Sequence, residues 1–451
     1  MQLKYHMITI EDLVPEDHFL RKLDVALDLS FVYKETYPLY NHRIGRPAID
    51  PVMLIKYILI GYLYGIPSER QIEQRIQTDM AFRWYLGLDL FDRVPNHSTI
   101  SQNRRRRPAF RKIFKQLFER VVAQCIEGGL VSGRLVATDS THVKASASKE
   151  SICLIEAPEE PGIYWERLDK YEEQALDELN AKTGQRRKHR TKQLNKFQRH
   201  PQKQVSKTDP DSGYLKRPGK PSGMYYLSHQ TVDTDHGIIL DVAVTPGNSS
   251  DAAPYLEQIE RVQRKVHICA ATADSAYDFP LAHQMLQEQG ISYYVRPDQH
   301  HVPACTAFLR DAFQYDPLQD IYCCPNQKSL RLNTVSRRPS GIHWVYAAAR
   351  EDCQACSLRD RCLSTSVKNG NRKLFINYFD SVVQQNYAKQ STAEYRNALR
   401  LRQIWCEGTF ATQKWCHNLT RVMRRGIEAA EDHCLLSATA LNLNRMIKWI
   451  A

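Results

Sequence analysis

Three acidic residues stand where a carboxylate is costly. Leu135-Val136-Ala137-Thr138 leads into Asp139, Val266 through Ala273 leads into Asp274, and Ile404-Trp405-Cys406 leads to Glu407. The first two runs have the length and composition of buried strands, so each Asp is expected at a strand's carboxyl end. Glu407 falls in a helical stretch. A carboxylate at the end of a buried strand must be paired, and a divalent cation is a strong oxygen-seeking partner. Three such groups, far apart in sequence, point to one site for divalent ions. Singly, each has a plainer reading: an Asp at a strand end caps a turn or helix, and a Glu on an amphipathic helix faces solvent. Ser140, Thr141 and His142 follow Asp139, but no Gly-x-Ser-x-Gly elbow surrounds Ser140, which excludes a serine nucleophile of that kind.

The elements that must position these acids follow from texture. Residues 10–124 read as helical throughout. Asp50-Pro51 is an N-cap followed by proline at the first helical position, and Val52, Leu54, Ile55, Ile58, Leu59 and Tyr62 follow as a 3.6-residue stripe before Gly65. Ser68-Glu69-Arg70-Gln71 has the form of a capping box. Asn96-His97-Ser98-Thr99 caps a further helix that runs into Arg104, Arg105, Arg106 and Arg107. Short helices ending in four arginines suit a DNA-binding module of the helix-turn-helix type, or a bundle with a solvated basic end.

Strands begin near Arg134, and the first is expected to end at Asp139. Residues 145–222 are polar, with one amphipathic helix near Trp165 to Leu179. Lys182 to Lys207 carries ten Lys and Arg and no acid, a solvated run or a backbone-phosphate contact. Tyr225–Val232 and Ile238–Val244 form a hairpin across Asp233 to Gly237, and Asn248 to Asp251 caps a helix to about Val262. The strand ending at Asp274, a helix near 280–289 and the strand Ile291–Val295 complete a mixed α/β sheet. Ligands of such sheets sit beyond strand carboxyl ends. Cys324, Cys353, Cys356 and Cys362 have partly zinc-like spacing; the alternative is a set of reduced thiols packed as small hydrophobes. The C-terminal stretch, about 391–450, reads as two helices broken near Arg424-Arg425-Gly426, with Glu407, Phe410 and Lys414 on one face or its edge.

The 451 residues suit two or three domains, and a net charge of +12 favours a polyanionic partner. No stretch reaches the roughly 18 apolar residues of a membrane span. Met1-Gln-Leu-Lys-Tyr-His is not a signal peptide, and twelve cysteines without an export signal suit a reducing cytoplasm.

Seven stretches resemble bacterial insertion-sequence transposases of the DDE type: GRPAIDPVMLIKYILIGYLYGIPSERQIEQRI, FRWYLGLDLFDRVPNHSTISQNR, LVATDSTHVKA, SKTDPDSGYL, ATADSAYD, CEGTFATQKW and LSATALNLNRMIKW. They run from near Leu13 to the C-terminus. The resemblance implies an α/β catalytic core with a ribonuclease-H-like mixed sheet, an all-α N-terminal domain and a cysteine-containing insertion before the C-terminal catalytic helix. The corresponding divisions are 1–130, 131–300 (with the basic insertion 145–222), 301–371 and 372–451. The family's catalytic acids fall on Asp139, Asp274 and Glu407, holding Mg²⁺ or Mn²⁺, and its phosphate-contacting Lys on Lys414. Arg421, Arg424 and Arg425 would hold phosphates beside the metals. The family's cysteine cluster matches Cys324, Cys353, Cys356 and Cys362, a structural Zn²⁺ site. The family often places a basic residue one turn before the Glu; here Gln403 stands four before and Arg402 five before.

Two divalent ions about 3.5–4 Å apart activate a nucleophile and stabilise the leaving oxygen in an in-line displacement. The implied reaction frees a transposon 3′ end with water, then joins that end to target DNA. Asp139 would bridge the ions, with Asp274 and Glu407 each holding one. The implied partners are terminal inverted repeats and target DNA, bound by a homodimer in the bacterial cytoplasm at the nucleoid, with no membrane role. The alternatives are a domesticated, non-catalytic DNA-binding protein and a metal-dependent nuclease without strand transfer.

Overall fold

A computed structural model describes residues 7–40, 48–106, 109–156, 163–184, 202–217, 219, 221–298, 308–338, 340–363 and 370–450. Arg107 and most of the basic 182–207 run lie outside these residues, as does the side chain of Arg106. The chain divides into two compact units. The first comprises Met1–Ile155, Lys203–Thr272 and Ala398–Ala451; the second comprises Glu156–Gln202 and Ala273–Asn397.

The first unit begins with helices. Helix α1 (Pro51–Leu63) starts where the sequence places it: Asp50 Oδ1 accepts the N–H of Val52 at 2.6 Å and of Met53 at 3.3 Å. It is buried almost all round rather than along one stripe, because it packs against the C-terminal helix α6 (Ile427–Ile450) as well as its neighbours. Helices α2 (Glu69–Thr78), α3 (His97–Arg106) and α4 (Ala109–Glu127) follow. Ser68 holds the N-cap position of α2, yet its side chain makes no capping hydrogen bond, so the expected capping box is not formed. Helix α6 is buried along most of its length and also covers α4 and the sheet.

That sheet contains β1 (Val136–Lys144), β2 (Gly213–Leu215), β3 (Gly223–Asp233), β4 (Ile239–Pro246) and β5 (Ala270–Ala273). Within the first unit the order is β2–β3–β1–β5, with β4 also pairing β3. β1 is antiparallel to β3 from Val136↔Asp233 to Lys144↔Tyr225, and parallel to β5 at Val136↔Ala271 and Ala137↔Thr272. The β3–β4 register slips after Thr231, and buried Asn442 of α6 serves the displaced backbone. Its Oδ1 accepts from Ile239 N at 2.9 Å and its Nδ2 donates to Ile239 O at 2.8 Å.

Two buried histidines make this unit acid-sensitive. Burial holds His229 of β3 and His433 of α6 down to about 4. His433 is placed neutral: Nε2 donates to Asn418 O at 2.8 Å and Nδ1 accepts from Tyr62 Oη at 2.9 Å. An unfolded His binds its proton near ~6.5. Between pH ~6.5 and ~4 the unfolded chain therefore holds more protons, and stability falls as pH falls. Urea midpoints are expected to drop across that window, and to drop less in a His229→Gln variant.

The second unit is built on an antiparallel meander that the sequence did not announce. β7 (Gln314–Asp316), β8 (Ile321–Cys323), β9 (Ser329–Arg338), β10 (Gly341–Ala348) and β11 (Lys373–Asn377) run in the order β11–β10–β9–β8–β7, and β6 (Ser292–Val295) precedes them in the chain. Phe313, Tyr322, Leu330, Tyr346, Leu374 and Ile376 form its core. The helix Ile163–Thr183 buries Leu168, Ala175 and Leu179 and packs on β9 and β10. Arg337 of β9 pairs with Asp169 and Glu172 of that helix. Among the described residues no helix is long and apolar enough to cross a membrane.

Candidate active site

β1 does not stop at Asp139. Its parallel pairing with β5 ends at Ala137, but its antiparallel pairing with β3 carries it on to Lys144. Asp139 thus lies two residues past the end of the parallel ladder, in mid-strand, with Thr141 on the same face and Ser140 and His142 on the other. Ser140 Oγ donates to Asp251 Oδ1 at 2.9 Å.

The helix that carries Glu407 lies against this strand. It runs as α-helix over Ala393–Arg402, as a π turn over Gln403–Glu407, and again as α-helix over α5 (Gly408–Cys416). Arg402 Nη1 donates to Asp139 Oδ2 at 3.0 Å, the two side chains being 17% and 18% exposed. Lys414 Nζ donates to Thr141 Oγ1 at 2.6 Å. Glu407 itself is exposed.

The π turn accounts for the one-residue mismatch in the sequence. On an unbroken α-helix, residues five apart are separated by roughly 140° around the axis. An i→i+5 turn brings them back into line, so Arg402 and Glu407 share a face. Such turns recur at functional sites. Arg402 Nε is buried without a hydrogen-bond partner, so the guanidinium holds one further donor beside Asp139.

Asp274 follows β5 directly and belongs to the second unit. Its Oδ1 accepts from Ala276 N at 2.9 Å, capping the short turn Ser275–Tyr277, and the residue is half-buried. The plain turn-capping role and the ligand role use different lone pairs of one carboxylate. The turn is fixed by a network that sequence reasoning missed. Asp278 accepts from His283 Nε2 at 2.7 Å, Tyr387 Oη at 2.6 Å and Asp298 N at 2.8 Å, while Asn386 Nδ2 donates to His283 Nδ1 at 2.9 Å. The second Asp of ATADSAYD was the available signal.

The basic residues divide. Arg105, Arg421 and Arg425 are exposed. Arg104 is held inside the fold, 9% exposed, with Nη1 on Glu69 Oε1 at 2.7 Å, so a phosphate there competes with Glu69. Arg424 Nη2 pairs with Asp432 Oδ2 at 2.7 Å. The link between α5 and α6 adds to the end of β1, where Lys144 N donates to Thr420 O at 3.0 Å and Val422 N to Lys144 O at 2.8 Å.

Among the described residues no group of three or more His, Cys, Asp or Glu converges closely enough to hold a metal ion. Cys324, Cys353 and Cys362 pack against the core of the meander. Lys328 N donates to Cys324 Sγ and Arg372 N to Cys353 Sγ, both at 3.4 Å. Burial raises the Cys362 thiol; Arg372 opposes this, and the nearby Cys353, Cys324 and Cys356 add to it.

Two family models match the chain: "Transposase domain (DUF772)" over residues 8–106 and "Transposase DDE domain" over residues 323–447. The second spans Cys324, Glu407 and Lys414. The chain thus carries segments that match transposase domains near both of its ends. A search of curated proteins gave no match. Solved structures similar to the chain include the piggyBac transposase synaptic complex with hairpin DNA, at 12% identity over 96% of this chain and 82% of that one, with a TM-score of 0.28. The Mos1 transposase paired-end complex with left transposon end is similar at 11% identity over 58% of this chain and 62% of that one, with a TM-score of 0.17. Likenesses this slight carry no conclusion about this chain.

Proposed function

We propose that the chain binds the ends of an insertion sequence, cleaves their phosphodiesters and joins the freed 3′ ends to target DNA, using Asp139, Asp274 and Glu407 as its catalytic acids. The observation that carries this reading is the ion pair of Arg402 with Asp139 at 3.0 Å, which seats the Glu407 helix on the strand of the first acid. Asp274 follows directly on the strand that pairs in parallel with β1, which supports a ribonuclease-H-like reading of the core.

Three carboxylates are hard oxygen donors and suit Mg²⁺ or Mn²⁺. Two such ions, when bound, activate the attacking oxygen and stabilise the leaving one. The chain's own residues do the rest. Asp139 and Glu407 offer carboxylates from a strand and a helix pinned together by Arg402 and Lys414. Arg402 balances the charge on Asp139 and keeps Nε for a phosphate oxygen. Lys414, fixed by Thr141, and exposed Arg421 and Arg425 hold the strand's phosphates, with Arg424 and the arginines at 104–107 as further basic groups. The division at 1–130, 131–300, 301–371 and 372–451 is proposed as the functional order of DNA-binding module, core, cysteine insertion and closing helices. A dimer on paired ends, acting at the bacterial nucleoid, completes the reading.

A supercoiled-plasmid assay with terminal-repeat DNA and Mg²⁺ tests it. Joined products are the expected outcome; cut-only products indicate a nuclease, and bound but uncut DNA a non-catalytic binder.

The four thiols Cys324, Cys353, Cys356 and Cys362 are proposed to hold a structural Zn²⁺. Their soft donors suit it, and the backbone N–H groups aimed at two of the sulfurs favour thiolates there. Metal analysis of the purified protein is expected to find about one zinc per chain, and a strong chelator to lower its melting temperature. Absence of zinc together with an unchanged melt would overturn this site.

A further inference from the structure

The first unit holds a cavity of 490 Å³ whose lining includes neither Asp139 nor Glu407, between the end of α1, the start of α2, helix α3 and the link before α6. This lies within the ~300–1,000 Å³ of ligand pockets. Its walls differ in chemistry. On one side Pro67, Ser68, Glu69 and Arg70 line it, the first turn of α2. Ser68 makes no side-chain cap, so this helix end presents uncapped N–H groups and the positive end of its dipole.

Arg104 lines the same wall. Its side chain is 9% exposed and its Nε is buried with no hydrogen-bond partner. An unsatisfied buried donor is costly, and an anion in the cavity would satisfy it. Arg70 and Arg421, both exposed, reach the rim from elements about 350 residues apart in the chain. Glu69, the acid in the lining, is already paired with Arg104; Glu73 is paired with His97 of the lining, and Asp432 with Arg424. The remaining lining is mixed: the apolar Ile66, Val422 and Met423, the last 56% exposed, stand among polar groups such as Ser101, Asn418 and Thr420.

A bare phosphate has no use for these apolar side chains, and a duplex cannot enter a cavity of this size. We propose that the cavity takes one nucleotide of a DNA strand, its phosphate toward the start of α2, Arg70, Arg104 and Arg421, and its base against Ile66, Val422 and Met423. This rests on the DNA-binding reading above and adds a subsite separate from the catalytic acids. A nucleotide seated there is turned out of its base stack, and it ties the helical module and the α5–α6 link to the same strand.

The test uses the full chain and deoxyadenosine 5′-monophosphate, with inorganic phosphate and deoxyadenosine as controls, by calorimetry or saturation-transfer NMR. The nucleotide is expected to bind at least fivefold tighter than either control. Arg70→Ala and Arg421→Ala are each expected to weaken it about five- to tenfold with unchanged melting temperature. Met423→Glu, a change at an exposed position, is expected to abolish the preference for the nucleotide over phosphate. A nucleotide bound no better than phosphate, or variants that leave its affinity unchanged, would overturn the subsite. Because this readout needs no cleavage, a wild-type chain that joins DNA but ignores the nucleotide loses only the subsite. A chain that binds the nucleotide but neither cuts nor joins DNA loses only the transposase reading.

Discussion

Asp139→Asn is expected to cut plasmid cleavage more than ~100-fold while leaving the affinity for transposon-end DNA within about twofold. Asn keeps the size and one acceptor oxygen of Asp but not its charge, so it serves hard divalent ions poorly. Outer partners of metal ligands cost about 10–100-fold when changed, and a direct ligand costs at least the upper figure. Stability should hardly move. Asp139 is 18% exposed, and its ion pair with Arg402, partly solvated, contributes about 1 kcal/mol or less. Cleavage and anisotropy titrations on one protein preparation check both halves. Equal loss of cleavage, binding and melting temperature would instead assign Asp139 to the fold.

Deleting one residue from the Glu407 helix should have opposite effects at two places. At the π turn, removal of Gln403 turns the five-residue step from Arg402 to Glu407 into four, the natural same-face spacing of an α-helix. Arg402 then still meets Asp139, and cleavage is expected within about tenfold of wild type. Removal of Ala411, which lies in regular α-helix and is exposed, turns everything beyond it by roughly 100°. Lys414 then leaves Thr141, buried Gln413 is turned outward, and cleavage should fall more than ~100-fold. Helical content by circular dichroism separates lost register from lost folding. If both deletions are equally damaging, the π turn is not a one-residue insertion into an otherwise α-helical frame.

What the sequence made legible was local. Asp50-Pro51 starts a helix because cap and ring act within three residues. The hairpin across Asp233 to Gly237 and the break at Arg424 to Gly426 are turn chemistry of the same range. The proposed acids Asp139, Asp274 and Glu407 stand out in the sequence because apolar runs deliver them. The illegible parts are those that distant neighbours decide. The end of β1 was placed at Asp139 because the apolar run stops there, yet β3 supplies partners as far as Lys144. The capping box at Ser68 had the right letters, yet the Ser68 side chain makes no cap hydrogen bond. The π turn leaves no mark in composition, since it depends on how Arg402 and Lys414 dock on β1. The meander of the second unit was hidden because its cysteines drew the reading toward a metal insertion, although Ser329–Arg338 alternates apolar and polar residues as a strand does.

Helix α6 has a further consequence, for synthesis. It covers α1 and α4, which leave the ribosome about 300 residues or more before it. At ~5–20 residues per second, the bare apolar surface of α4 waits roughly 15–60 s for its cover, and that of α1 somewhat longer. During translation, therefore, the nascent chain is a substrate for holding chaperones, and a ribosome that stalls before residue 427 leaves that surface unprotected.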